Sequence, residues 1–154
     1  MKKIVHISSA HGLFDNRIFW KECKSLNEKY DLTLIIPYNK SGVIEGIRVI
    51  GLQSETSRVK RMLIATFNAY RHAVKEDATL YHLHDPELIP VGLLLRLRGK
   101  QVIFDMHENT PKSIRSKRWV PERIRTLTSS LYSILERITL NRFGVIFAEE
   151  SYER

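Results

Sequence analysis

Three of the six histidines in this 154-residue chain stand just past short apolar runs: His11, His84 and His107. Imidazole titrates near neutral pH, accepts and donates hydrogen bonds, and binds metals. The first loop reads Ser8-Ser9-Ala10-His11-Gly12-Leu13-Phe14-Asp15-Asn16-Arg17. It leads into a helix whose free N–H groups suit an anion. Gly12 permits close backbone approach, and Asp15 suits a helix cap. Arg17 stands early enough in that helix to face a cleft and hold phosphate or carboxylate. Its alternatives are a pair with Glu22 or plain solvent.

The second loop is His82-Leu83-His84-Asp85-Pro86-Glu87. In an extended chain His82 and His84 share a face, like the His-x-His of zinc sites. A metal centre could add His107 and Glu108; a hydrolytic site needs further ligands, and the remaining histidines, His6 and His72, look badly placed, so no metal is expected. Asp85 is expected to cap the next helix, with Pro86 at its first position. The third loop, Asp105-Met106-His107-Glu108-Asn109-Thr110-Pro111, mixes donors and acceptors as sugar hydroxyls require. It can equally hold itself together by its own side-chain hydrogen bonds.

Other chemistries are excluded by motif. No GxGxxG or Walker pattern supports a self-contained dinucleotide or ATP site. Nor is there a GxSxG or a CxxC. The single cysteine, Cys23, lies on an apolar stripe and reads as core.

Six short runs must position these loops: Ile4 to Ile7, Leu32 to Ile36, Ile47 to Leu52, Leu80 to Leu83, Val102 to Phe104, and Val145 to Ala148. They are largely continuous apolar runs, the third of them weaker, as strands buried on both faces are. Between them lie helical stripes. Phe19, Cys23, Leu26 and Tyr30 form one; Val59, Leu63, Phe67, Tyr70 and Val74 form another. Glu87 to Arg98 is apolar nearly all round and should be buried. Ile124, Leu127, Leu131, Leu135 and Ile138 line a long last helix opened by Pro121. Strand alternating with helix predicts an α/β fold, a Rossmann-like parallel sheet with helices on both faces. Residues 1–154 read as one domain. Ligands of such sheets bind at the carboxyl ends of the strands, here between the first and fourth.

The net charge is +8 with a pI near 9.7. From Arg96 to Arg125 nine basic residues stand against Asp105, Glu108 and Glu122. The balance suggests a polyanionic partner or a solvated basic face. Met1-Lys2-Lys3 imitates the start of a signal peptide, but no adequate apolar region follows. The longest near-apolar run, Leu88 to Leu95, is far below a membrane span. With one cysteine, this predicts a cytoplasmic chain, or one peripheral at the inner face of a membrane.

Three segments carry a resemblance: Asp15-Asn16-Arg17-Ile18-Phe19 with Lys21-Glu22-Cys23; Tyr81-His82-Leu83-His84-Asp85-Pro86-Glu87-Leu88-Ile89-Pro90; and Ile103-Phe104-Asp105-Met106-His107-Glu108. In order and spacing they resemble the N-terminal domain of glycosyltransferase family 4, in the bacterial subgroup that builds capsule, O-chain and other surface polysaccharide. The resemblance runs from residue 3 to about 150. It implies one half of a GT-B fold, the acceptor side. The nucleotide-sugar domain is absent, so the half should be inactive alone. It implies a retaining hexosyltransferase with no permanent cofactor, the nucleotide sugar serving as substrate through the missing domain. His107 maps onto the histidine that reaches the donor sugar, with Glu108 shaping that loop and Gly12 near the donor diphosphate. Arg17, His84, Asp85 and His11 line the acceptor side. The acceptor would be a saccharide or a lipid-diphosphate-linked sugar. Lys112, Arg115, Lys117, Arg118 and Trp119 fit an anionic membrane surface. Two departures stand out: the first loop is poor in glycine, and Glu149-Glu150 replace small hydroxyl residues.

Three alternatives accompany this reading. One is a non-catalytic module that recruits or regulates a partner. A basic nucleic-acid-binding domain is disfavoured by the lack of any RNP or zinc-finger pattern. The last is a metallohydrolase.

Overall fold

β-Branched and aromatic residues between turn formers build each strand in this structure, a computed structural model that describes residues 1–53, 61–106 and 122–147. The strands are β1 (Lys3–Ile7), β2 (Asp31–Pro37), β3 (Gly42–Ile44), β4 (Ile47–Leu52), β5 (Leu80–Leu83), β6 (Gln101–Met106) and β7 (Gly144–Phe147). They form one sheet in the order β3-β4-β2-β1-β5-β6-β7. All neighbours are parallel except β3 and β4. The six expected runs are the six parallel strands, and the order reverses at β1 and β5 as expected.

The short strand β3 was not anticipated. It pairs antiparallel with β4 through a two-residue turn, Glu45-Gly46, both at positive φ (50° and 81°). Such a mirror-image hairpin turn favours Asn-Gly or Asp-Gly, so Glu-Gly gives little sequence signal. The turn is held from outside. Lys24 Nζ donates to Glu45 O at 2.9 Å, and Asn27 Nδ2 donates to Gly46 O at 3.0 Å.

Helix α1 runs in wide π-helical turns over Asn16–Cys23 and closes α-helically over Lys24–Asn27. Asp15 caps it as expected, its side chain accepting from Arg17 N and Ile18 N. Ile18, Phe19 and Cys23 are fully buried against Leu32, Leu34, Ile36, Ile47 and Val49. Each fully buried large apolar side chain contributes roughly 1.5–3 kcal/mol. Helix α2 (Thr66–Glu76), helix α3 (Ile89–Leu97) and helix α4 (Glu122–Arg142) serve the second core. There Val5, Ile7, Tyr81, Leu83, Val102 and Phe104 pack with Ala69, Ala73, Leu95 and Phe143. Alternate residues of β2 and β4 thus feed alternate cores, the period-two rule of a pleated strand.

Three expectations about helix faces are corrected. On α2 Tyr70 and Val74 of the expected stripe pack against the core, but Leu63 in the preceding turn and Phe67 are exposed, and the most buried residues are Ala69, Ala73 and Glu76. Small side chains let that helix lie close to the sheet. Val59 lies outside the described residues. Helix α3 follows a single 3₁₀ turn, Pro86–Leu88, and is not buried all round: Leu94 and Leu97 are exposed. On α4 three residues of the expected core stripe face out, with Leu127 73% and Leu131 57% exposed, and Ile138 exposed too; the side chains of Ile124 and Leu135 lie outside the described ones. Its inward side carries Ser129, Tyr132 and Thr139, with Phe143 just past its end. No described helix is long and apolar enough to cross a membrane.

Candidate functional site

Ser8 follows β1 directly, and Asp85 stands two residues past the end of β5. The two segments are tied together by a buried carboxylate. Asp85 Oδ2 accepts from Ser8 Oγ and Ser9 N, each at 2.7 Å, and from Ala10 N at 3.3 Å. Asp85 Oδ1 lies 3.1 Å from His11 Nδ1. Ser9 Oγ donates to Glu87 Oε1 at 3.0 Å. The expected cap is therefore corrected: Asp85 makes no side-chain cap on its own helix, because the first loop claims both its oxygens. Burial disfavours its charge, yet the hydrogen bonds from His11, Ser8 and Ser9 N prevail and hold the carboxyl below its ordinary range. In return His11 is raised, by its hydrogen bond to Asp85 against the cost of partial burial.

Below this loop pair lies a denser cluster. His6 and His82 stand in register on β1 and β5, and His84 follows two residues on, on the same face. His6 Nδ1 is 2.9 Å from His84 Nε2. Helix α1 covers them and contributes Glu22, on the same stripe as Ile18 and Leu26. Glu22 Oε2 lies 3.8 Å from each of His6 Nδ1, His82 Nδ1 and His84 Nε2. Asp105, on β6, approaches from the other side: its Oδ2 is 3.4 Å from His84 Nδ1 and 3.9 Å from His82 Nε2. Arg17 Nη1 reaches Asp105 Oδ2 at 2.5 Å and lies 3.8 Å from Glu22 Oε1. Burial, then its two histidine neighbours, keep His6 well below its ordinary range. Burial, then the Asp105 carboxylate, raise Glu22 to about 7. Burial pushes the Cys23 thiol up as well, which suits a core residue and not a nucleophile.

Sequence reasoning brought His11, Arg17, His84 and Asp85 to one rim, and they share it. Arg17 and His11 keep about a third of their side chains exposed, while His84 and Asp85 lie beneath them. Gly12 is exposed, with open space where a side chain would sit. His107 and Glu108, and the basic residues Lys112, Arg115, Lys117, Arg118 and Trp119, lie outside the described residues. His6, set aside as badly placed, is at the centre of the cluster. Asp105, expected in a loop, is the fifth residue of β6. Glu22 was weighed only as a partner for Arg17. The available signal was a polar residue at an inward position: a histidine in each of two adjacent buried strands, and a carboxylate on an apolar helix stripe.

No family model and no curated protein matches the sequence. Solved structures do. Sucrose-phosphate synthase from Thermosynechococcus elongatus superposes with a TM-score of 0.62 at 16% identity, over 96% of this chain and 47% of its own. A second solved chain of that synthase matches with a TM-score of 0.50 at 16% identity, over 88% of this chain and 99% of its own. The fold is Rossmann-like, a mostly parallel seven-stranded sheet with helices around it. This chain spans about half the length of the full synthase chain it matches.

Proposed function

We propose that this chain is the acceptor-side domain of a retaining GT-B glycosyltransferase. It would move a hexose from a nucleotide sugar to a saccharide or lipid-diphosphate-linked acceptor in surface-polysaccharide synthesis. The observation that carries the reading is the fold likeness, which covers nearly all of this chain and about half of the sucrose-phosphate synthase chain. The rim at the carboxyl ends of β1 and β5 supports it, since parallel sheets of this order bind ligands there.

In this reading the bond from the anomeric carbon to the nucleotide diphosphate breaks. The acceptor hydroxyl oxygen bonds to that carbon on the same face, and its proton goes to the leaving phosphate. No strong protein base is required, and the task is to position two sugars and neutralise the diphosphate. His107 reaches the donor sugar, with Glu108 beside it. Gly12 admits the diphosphate to the backbone. Arg17 and His11 face the acceptor, supported by His84 and Asp85. The basic residues from Lys112 to Arg118, with Trp119, bring the domain to a cytoplasmic membrane face. Equal, weak binding to neutral and anionic vesicles would refute that last point.

The test joins this chain to a nucleotide-sugar-binding domain and follows transfer from a panel of nucleotide sugars. Transfer should occur with retained anomeric configuration. His107→Ala should lower kcat by about 100-fold or more, the scale of a lost contact made in the transition state. A folded two-domain protein that turns over equally with and without His107 would refute the assignment.

A further inference from the structure

The cluster beneath the rim has a geometry that neither the fold nor glycosyl transfer calls for. Four side chains from three elements converge there: His6 from β1, His82 and the following His84 from β5, and Glu22 from α1. One donor atom from each lies within 4.8 Å of all the others. We propose that these four residues bind a single divalent transition-metal ion of the zinc class, through His6 Nδ1, His82 Nδ1, His84 Nε2 and the Glu22 carboxylate.

A four-coordinate zinc ion takes nitrogen and oxygen ligands at roughly 2.0–2.2 Å, which sets ligand atoms about 3.3–3.6 Å apart in a tetrahedron. Four of the six separations straddle that value, 2.9 Å between the His6 and His84 nitrogens and 3.8 Å from Glu22 to each ring, and the donor atoms all lie within 4.8 Å of one another. Shifts of about 1 Å or less would close the site. The outer arrangement fits as well. His82 and His84 each turn one nitrogen toward Glu22 and the other toward Asp105. A carboxylate behind a ligating imidazole fixes its tautomer and orientation. Arg17 in turn holds Asp105. His6 is fully buried, and Glu22 Oε2, the carboxylate oxygen that faces all three rings, is buried with no hydrogen-bond partner among the described residues. On loading, the hydrogen bond between His6 and His84 is given up. The ring that donated it carries its proton on its other nitrogen, so all three rings bind neutral.

The ion would be structural. Four protein ligands close the coordination sphere, leaving no open position for a substrate or water. It would pin α1 to β1 and β5 directly below the loops that carry His11, Gly12 and Asp85. Nothing in this rests on sugar transfer, so either reading can fail alone.

The experiment loads the whole metal-stripped chain with Co²⁺ and then with Zn²⁺. Visible absorption and elemental analysis after gel filtration read the result. We expect one ion per chain, an intense four-coordinate cobalt band, and displacement of that band by zinc. Glu22→Gln and His82→Gln should weaken cobalt binding by more than about 100-fold, and Asp105→Asn by about 10-fold. His72→Gln, remote on α2, should bind as the parent does. Circular dichroism of each variant separates lost ligation from lost fold. Because the unaltered chain is itself an arm, misfolded variants do not shelter the proposal. Less than a tenth of an ion per parent chain at tenfold excess metal would overturn it. So would a weak six-coordinate band, or equal binding by the folded Glu22→Gln variant.

Discussion

Asp85 does more than any other single residue to shape the rim. It is buried, charged, and satisfied by groups on a loop some 75 residues away in sequence. Asp85→Asn keeps the shape but removes the charge and one acceptor. Unfolding in urea should show a loss of about 1–3 kcal/mol, the usual cost of spoiling a buried charged hydrogen-bond set. His11 supplies a pH test. Its folded pKa is raised above the ordinary 6.5 by Asp85. A raised histidine contributes stability fully below its unfolded pKa and loses it as pH rises through the folded value. The thermal midpoint of the parent should therefore exceed that of His11→Gln at pH 5.5, and the gap should shrink above neutrality. A gap that widens with pH would mean that His11 does not hold Asp85 as a cation. That His11 and Asp85 stand on the same rim was legible because each follows a strand end. That they bind each other was not, since no spacing rule connects residues so far apart.

At the scale of elements, the strands were legible and the helix faces less so. Runs such as Leu32 to Ile36 have one reading, because a strand buried on both faces has no polar side to misassign. A helix has a choice of faces. On α4 the more apolar stripe, Leu127 with Leu131, points outward, and the inward side is built from Ser129, Tyr132 and Thr139, followed by Phe143 just past the helix. Hydrophobicity alone picks the wrong stripe there. The consequence is measurable. Replacing Leu127 and Leu131 together by Gln should move stability by no more than about 0.5 kcal/mol for each site, as surface changes do. Had they been core residues, the loss would be several kcal/mol. Helix α1 shows the reverse case. Its apolar face was read correctly, but Glu22 on that face passed as an incidental partner for Arg17. A carboxylate on a buried stripe must be paired or neutralised, and here histidines on two strands and Asp105 on a third surround it.

For the molecule as a whole, the sheet order places the ends of β1, β5 and β6 at one edge, where His11, Arg17, His84, Asp85 and Asp105 gather. Topology was predictable because parallel strands with right-handed crossovers leave few arrangements. The histidine cluster was not, since it depends on the register of β1 against β5, which sets His6 beside His82. The decisive measurement is an amide-resolved NMR titration of the chain with saccharides and a short-chain lipid-diphosphate-linked sugar. Perturbed amides should concentrate in residues 8–17 and 84–87. Perturbations confined to the β3–β4 edge or to α4, or a response to DNA with none to any sugar, would contradict the proposed function.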